Sequence, residues 1–496
     1  MQQLNPASND SRPFEQNNVT QVINNHYPSL PVEKVDIADA RPVSETLKKI
    51  IETVKRPAGE PSTDVINFMN ELRDRIPRKI YLIPTKHLRF RKNNGRIISD
   101  VESYERELGY TPGEETEEMQ DLLRTFLAGN DRESNDELKR LLAQIGQQRP
   151  AIATCDGFLI NGNRRKMALE ELYEESNEDP RFQTMRVILL PEGVSELEIQ
   201  KVENRYQLQS EGKSEYQVLN RAIKYKRNME SGFSLEAQLR DDPNYHEFPA
   251  AAFRRVVKDF EKKFIHPLAC IDRYLETLGR EGMYTSISES MNDREGRWQA
   301  FVHYSNFYYS TLINPEKTAQ MQLNEADTER LEKAVFRIIR KRSFSSRSVD
   351  SPAGKLSEFI RKLPKYLDNP EARNCILKIA EIPIDVPLAI TQDEYGKKCT
   401  EREIDSKWGA LHEEALLGSL SIAQRCVSQQ ELRDKPLELL EDALKILNHN
   451  NLRIGNMGPQ YYEKGMELMQ TISQKADEIY KTINHARYDY KRSGKG

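Results

Sequence analysis

The spacing of apolar and polar residues predicts a chain whose architecture changes after Ser195. Between residues 79 and 210, short apolar runs alternate with segments in which apolar residues recur every three or four positions. The runs predict strands at Lys79–Phe90, at the end of Asp136–Thr154, at Phe158–Asn161 and at Thr184–Pro191. The periodic segments predict intervening helices, one of them over Arg164–Glu175. Helices that alternate with short strands predict one α+β domain here.

The remainder of the chain shows helical spacing almost throughout. Four leucines fall on one helical face: Leu437, Leu440, Leu444 and Leu447. A second, longer stripe contains Tyr462, Met466, Met469, Ile472, Ala476, Ile479 and Ile483. We therefore predict a helical segment over residues 216–270 and an all-helical C-terminal region over residues 271–496, which offers a surface for a protein partner.

The amino-terminal part combines a polar tail with predicted helices. Residues 1–40 are rich in Asn, Gln, Ser and Pro and poor in aromatic residues, which predicts a flexible tail. Residues 41–78 are predicted as a helical extension, with amphipathic helices at Val43–Arg56 and Asp64–Ile76. The strongly acidic residues 99–135 are also predicted to be helical.

The composition is that of a chain with much exposed surface. Apolar residues make up 37% and charged residues 31%, and 74 basic against 78 acidic residues leave a net charge of -4. Any nucleic-acid surface must therefore be a local patch. The five cysteines show no CxxC spacing, which predicts neither a zinc site nor a disulfide framework. The sequence shows no apolar leader and no run of 18 apolar residues, so we expect a cytoplasmic protein without membrane association.

The first candidate for chemistry is the segment CDGFLINGNRRKMALEELYEE, from Cys155 to Glu175. A strand ends, Gly162 permits an unusual backbone angle, and Arg164 and Arg165 follow where a helix begins. Cations are slightly unfavourable at that end of a helix because its dipole is positive there, so the pair predicts a bound anion. A phosphate chain would bind both guanidinium groups and the backbone amides. The alternative is a solvated pair that contacts the acidic residues of EELYEE.

A second candidate follows the Thr184–Pro191 strand, in the segment QKVENRYQLQ. Glu203 and Asn204 place a carboxylate beside an amide oxygen, and hard cations near phosphates bind such oxygens. Magnesium there would neutralise phosphates that the arginines hold. The alternative is an ordinary polar helix face.

The two segments in this order resemble the N-terminal domain of the ParB/sulfiredoxin superfamily. The resemblance lies in GFLINGNRRKMAL, which carries a Gly-x-Arg-Arg box, and in VENRYQLQSEGKSEYQVLNRA, which carries a Glu-Asn box. Upstream, IGQQRPAI resembles the helix-to-strand step before the arginine box, and LRFRKNNGR resembles the family's first box. The expected fold class is α+β, with a small mixed-sheet ParB/sulfiredoxin-like domain at residues 79–215 followed by a large all-α region.

The resemblance also implies ligands and roles. ParB-like members bind CTP with magnesium, so a nucleoside triphosphate, with CTP favoured, and Mg2+ are the expected cofactors. By analogy, the nucleotide-binding residues are Arg96, Gly162, Asn163, Arg164 and Arg165. The same analogy gives Glu203 a catalytic role in hydrolysis and makes Asn204, with Glu203, a metal ligand.

The sequence departs from the family pattern at several points. Gln207 stands where the Glu-Asn box usually has an arginine, and the acidic residues 99–135 exceed what a compact domain needs. The sulfiredoxin branch has a catalytic cysteine in its Gly/Arg box, whereas here Cys155 lies seven residues before Gly162. Reductase chemistry on a sulfinic acid is therefore not expected.

A helix-turn-helix is predicted after the Glu-Asn box. SLEAQLRDD is its first helix, capped by Ser234, and PAAAFRRVVKDFEKKF is its second, with Pro249 in the first turn. The exposed cations of the second helix are predicted to be DNA-binding: Arg254, Arg255, Lys258 and Lys262. The joining PNYHEF is longer than the usual turn, and a basic helix within a bundle is an equal alternative.

Three hypotheses for function follow. The first is a ParB-like protein in which nucleotide controls binding to DNA or self-association as a homo-oligomer, with slow NTP hydrolysis as its possible enzyme activity. The second is a nucleotide hydrolase, phosphotransferase or nuclease on the same scaffold, with Glu203 as the base. The third is a helical interaction protein with no nucleotide site.

Overall fold

The structure is a computed structural model that describes most of the chain. The described residues are 44–53, 62–66, 76–208, 218–242, 244–245, 247–287, 297–342, 356–387, 390–392 and 396–493. The predicted flexible tail at residues 1–40 lies outside them.

The described chain is mixed α+β, as predicted, with its strands near the amino terminus and helices after them. The strands are β1 (Thr63–Val65), β2 (Pro77–Lys79), β3 (Tyr81–Pro84), β4 (Ala151–Ala153), β5 (Leu159–Asn161) and β6 (Thr184–Leu189). The helices up to the predicted DNA-binding segment are α1 (Glu45–Thr53), α2 (Ile98–Leu108), α3 (Glu117–Gly129), α4 (Arg132–Ile145), α5 (Asn163–Glu175), α6 (Glu196–Leu208), α7 (Val218–Glu230), α8 (Leu235–Arg240) and α9 (Ala250–Phe260). The later helices are α10 (His266–Thr277), α11 (Arg297–Phe307), α12 (Pro315–Gln320), α13 (Glu325–Lys341), α14 (Leu356–Arg361), α15 (Leu363–Asp368), α16 (Pro370–Lys378), α17 (Glu401–Leu411), α18 (Glu413–Leu447) and α19 (Tyr462–Arg492).

Four short strands form a mixed sheet in the order β3-β6-β4-β5. β6 runs antiparallel to β3 and parallel to β4, and β4 runs antiparallel to β5. β1 and β2 form a separate antiparallel pair. The sheet therefore brings together segments that are separated by more than a hundred residues in the sequence.

Alternating side chains of the sheet enter two different apolar layers, as the two-residue period of a strand requires. Ala151 and Ala153 of β4 pack with α4 and α5 on one side, whereas Ile152 packs with α6 on the other. β6 divides in the same way, with Val187 on the first side and Ile188 on the second. The sheet is thus covered by helices on both faces.

The acidic stretch forms helices that pack on this domain through their apolar faces. Val101 of α2, together with Met119 and Leu123 of α3, joins a third core cluster with Phe90 and with Met167 of α5. Not all of its carboxylates face solvent, since Glu102 pairs with Arg227 and Glu105 with Lys92, both mostly buried.

The predicted elements agree with the structure in most places, but two differ. The predicted helix Asp64–Ile76 is wrong at its start, because Thr63–Val65 is β1 and pairs with Pro77–Lys79; residues 67–75 lie outside the described ranges. The predicted strand Lys79–Phe90 is shorter, since β3 ends at Pro84 and a 3-10 turn follows. Both differences come from pairing with distant residues, which local spacing does not encode.

The described residues form two compact units, one ending at Gln424 and one beginning at Arg425. The first contains the sheet and the helices as far as the first part of α18. The second contains the rest of α18, two 3-10 turns and α19. In the described ranges, no helix is both long and apolar enough to span a membrane.

Candidate anion-binding site

The loop between β5 and α5 places the arginine pair. Gly162 precedes α5 with φ of 90°, and no side chain caps the first turn of the helix. A Cβ atom at Gly162 would lie 2.8 Å from the Cβ atom of Ala151 and 2.9 Å from Cε of Met185. Only glycine fits this position, for reasons of both backbone conformation and space. The first backbone N–H groups of α5 are consequently held at a fixed place against the sheet.

Arg164 points toward the start of α4. A chain of hydrogen bonds connects it with Arg96 in the segment LRFRKNNGR. Nε of Arg164 donates to Oδ1 of Asn135 at 2.5 Å. Asn135 in turn donates to the carbonyl of Asn130, and Asn130 donates to the backbone carbonyl of Arg96 at 2.6 Å. Burial, and then the nearby charge of Arg96, lower the pKa of Arg164 to about 10. The site therefore holds two like charges close together.

Arg165 lies elsewhere, although it is adjacent in sequence. Its guanidinium donates to the backbone carbonyl of Arg149 and, at 3.4 Å, to Oδ1 of Asn161. Arg149 follows the end of α4, whereas Asn135 lies in the first turn of that helix. The two side chains are therefore hydrogen-bonded to different segments, one in the first turn of α4 and the other beyond its end. The two guanidinium groups therefore point apart and do not form one cradle, contrary to the sequence expectation.

Asn163 has a local role. Its Nδ2 donates to the carbonyl of Leu159 at 3.2 Å, and the residue is 6% exposed. The side chain therefore ties the first turn of α5 back to β5. Asn163 thus supports the turn that positions Arg164.

Glu203 contacts the loop that contains Arg96, and its carboxylate forms an ion pair with Lys224. Its carboxylate accepts from Nζ of Lys224 at 2.8 Å and from the N–H of Gly95 at 3.4 Å. The side chains of Glu203 and Lys224 are each 4% exposed. Lys224 also donates to the carbonyl and side-chain oxygens of Asn93, both at 3.0 Å. Glu203 is therefore a buried member of an ion pair, an unsuitable state for a general base that must reach a substrate.

Asn204 and Arg205 connect α6 to α8. Nδ2 of Asn204 donates to the carbonyl of Gln238 at 3.3 Å. Arg205 binds both carboxylate oxygens of Asp241 through Nε at 2.9 and 2.8 Å, and donates to one of them through Nη2 at 2.7 Å. Asn204 and Glu203 therefore direct their polar ends to different elements.

The residues predicted as metal ligands do not fit a shared magnesium ion. Glu203 contacts Lys224, and Asn204 uses its amide as a donor. Across the described residues, no group of three or more His, Cys, Asp or Glu side chains converges in a way that could hold a metal ion. This arrangement argues against Glu203 and Asn204 as shared magnesium ligands. A magnesium ion bound mainly by phosphate oxygens and water would need few protein ligands.

Several residues of the site were not predicted from the sequence. Asn220, Lys224 and Asn228 of α7 are polar but at most 3% exposed. Asn220 accepts from the N–H of Ser99 at 3.1 Å and donates to the carbonyl of Arg96 at 2.6 Å. These three polar residues recur every four positions on a helical face that is otherwise apolar. That spacing was the sequence signal for buried polar contacts, because buried polar groups need hydrogen-bond partners.

The predicted basic face is exposed. Ser234 caps α8 by accepting from the N–H of Ala237 at 3.2 Å, and Pro249 stands immediately before α9. Phe253 and Val257 are buried. The four predicted DNA-binding cations are exposed: Arg254, Arg255, Lys258 and Lys262. Nine residues, 241 to 249, separate α8 from α9, which is longer than the turn of an ordinary helix-turn-helix.

Helix α7 lies between the loop of Arg96 and the basic helix. Near its start, Asn220 binds the backbone of Arg96. One turn later, the ring of Tyr225 packs 5.8 Å from Phe260 and 5.5 Å from Phe264, centroid to centroid. A rigid helix therefore joins the two candidate surfaces.

Comparison of the chain with models of protein families, with curated proteins and with solved structures found no match in any of the three.

Proposed function

We propose that this protein is a ParB-like nucleotide-binding protein in which the bound nucleotide controls the affinity for DNA. The ligand is a nucleoside triphosphate, with CTP favoured by the resemblance of the sequence boxes. Its phosphates bind where Arg96, Arg164 and the first turn of α5 come together. Magnesium accompanies the phosphates and is held by their oxygens rather than by Glu203 and Asn204. DNA binds to the exposed basic face of α9.

The observation that carries the proposal is the pairing of Arg96 with Arg164. Burial, and then the charge of Arg96, lower the pKa of the half-buried Arg164, and the charge of Asp131 offsets that shift only in part. A polyanion placed between Arg96 and Arg164 would remove this cost and gain charge-assisted hydrogen bonds. The uncapped amides of α5 add donors at the same end of the helix.

The link between the two surfaces supports control of DNA by nucleotide. A phosphate that draws Arg96 toward α5 would act on Asn220, which binds the backbone of Arg96. α7 would carry the displacement to Tyr225, and from there to Phe260 at the end of α9. The nucleotide would then favour one of two positions of the basic face through its different affinity for each.

Calorimetry with each of the four ribonucleoside triphosphates, with and without magnesium, tests the proposal. We expect one of them, CTP first, to bind. Arg164→Ala should weaken that binding by about 2 kcal/mol, roughly 30-fold in Kd, because a charge-assisted contact is lost.

Two further variants make the result specific. Arg181→Ala removes an exposed arginine of the same domain and should leave the affinity unchanged. Arg165→Ala should also bind nucleotide like the wild type in its folded fraction, because that guanidinium contacts the carbonyl of Arg149. Absence of binding by all four nucleotides, or full affinity in Arg164→Ala, would refute the site.

A further inference from the structure

Helix α19 carries a continuous apolar stripe, which we call the seam. Its members are Tyr462, Met466, Met469, Ile472, Ala476, Ile479, Ile483, Ala486 and Tyr490. Tyr462 and Tyr490 lie 28 positions apart and are joined by eight steps, an average of 28/8, or 3.5 residues per step. This is the repeat of helices that wind around each other in a left-handed coiled coil.

The seam is exposed in the described structure except at Ile479, which is half-buried. α19 is 31 residues long and buries none of its side chains. Met466 is 61% exposed and Ile483 is 50% exposed. Residues 428–450 of α18 and the turn after it are likewise exposed, so the two helices of this unit do not cover each other. Most helical stability in proteins comes from packing an apolar face, and the seam therefore requires a cover.

The charges of α19 are segregated along its axis. In the half up to Glu478, the acidic residues are Glu463, Glu467, Asp477 and Glu478, and the basic residues are Lys464 and Lys475, a net charge of 2 − 4 = −2. In the half from Ile479 onward, the basic residues are Lys481, Arg487, Lys491 and Arg492, and Asp489 is acidic, a net charge of 4 − 1 = +3. The helix dipole favours this order only in the first and last turns, so it does not account for the charges nearer the middle.

We propose that α19 pairs in antiparallel orientation with α19 of a second copy of this chain. Antiparallel pairing sets each acidic half against a basic half, whereas parallel pairing sets like charges together. A twofold axis through the middle of the helix makes the seam complementary to itself. The seven larger seam side chains, at roughly 100 Å² each, would bury about 700 Å² per chain, close to the roughly 800 Å² that each side of a standard stable interface contributes.

The mass of the full chain in solution tests the pairing. Sedimentation equilibrium should give twice the chain mass of 57.6 kDa. Ile479→Glu with Ile483→Glu should weaken dimerisation at least roughly 100-fold, because two carboxylates per chain enter the apolar interface. The matched control is Gln474→Glu with Asn484→Glu, on the outer face, and it should remain dimeric. Circular dichroism checks that each variant keeps its helices.

Cysteine cross-linking tests the orientation, with the wild-type chain as background for its native cysteines. Ala476→Cys lies near the middle of α19 and should form an intermolecular disulfide with its own copy. Met466→Cys lies near one end and should not, because an antiparallel partner presents its opposite end there. A monomeric wild type, or a dimer that survives Ile479→Glu with Ile483→Glu, would overturn the pairing. Equal cross-linking by both cysteine variants would overturn the antiparallel orientation. Neither outcome bears on the nucleotide site.

Discussion

At the scale of single residues, the candidate site depends on the divergence of two neighbouring side chains. Arg164 and Arg165 share a sequence box, but successive residues of a helix point about 100° apart, as 3.6 residues per turn requires. Arg164 consequently reaches Asn135, and Arg165 reaches the carbonyl of Arg149. Gly162 determines where α5 begins, and therefore where these two side chains leave the backbone.

Gly162→Ala should destabilise the protein by about 2–4 kcal/mol, because it adds backbone strain at positive φ and a clash with Ala151. Chemical denaturation followed by circular dichroism measures the change. Gly129→Ala is the matched control, since a Cβ atom there meets nothing within 4 Å, and it should change stability by less than about 0.5 kcal/mol. Equal stability of the two variants would contradict the account of the turn.

At the scale of elements, the Glu-Asn box links helix α6 to two neighbouring helices. Glu203 ties α6 to α7 through Lys224, while Asn204 and Arg205 tie it to α8. The sequence predicted the helices on both sides of this box, but it also predicted that Glu203 and Asn204 are metal ligands. The tertiary structure instead uses these polar side chains to hold three helices together.

Asp241→Ala should lower the free energy of unfolding by about 3 kcal/mol, because Arg205 loses its buried carboxylate partner. Replacing both residues, as Arg205→Met with Asp241→Leu, should recover most of that loss, since no buried charge then remains. Thermal and denaturant unfolding of the three proteins give the comparison. Glu174→Ala removes an exposed ion pair with Arg124 and should cost less than about 1 kcal/mol. A double variant no more stable than Asp241→Ala would show that the pair is not what holds α6 to α8.

At the scale of the whole molecule, the proposed nucleotide and DNA surfaces are joined through α7. Coupling between two binding equilibria must be reciprocal. If nucleotide changes DNA affinity by some factor, DNA must change nucleotide affinity by the same factor.

This reciprocity is measurable with the full chain. Fluorescence anisotropy gives DNA affinity with and without saturating nucleotide, and calorimetry gives nucleotide affinity with and without DNA. We expect equal factors, in the range of about 5–150-fold that is typical of coupled sites. Asn220→Ala should reduce both factors together, because it cuts the contact between α7 and the backbone of Arg96. A factor of one would separate the two surfaces and refute the switch.

The amino-acid sequence by itself determined the features that depend on near neighbours. Short apolar runs identified the strands of the sheet, helical spacing identified α5 and α19, and Ser234 marked the cap of α8. It also identified the exposed cations of α9 correctly, because a helical face is set by residues three and four positions apart.

Only the tertiary structure decided which polar groups meet. Arg96 and Arg164 lie 68 positions apart in the sequence, and Glu203 and Lys224 belong to different helices. Their contacts depend on the strand order β3-β6-β4-β5 and on the layers packed against it, and no local pattern encodes that order. The same reason explains the misplaced helix at Asp64, since β1 exists only through its pairing with β2. Local spacing fixes the direction of a side chain relative to its own backbone, whereas its partner depends on where the rest of the chain has folded.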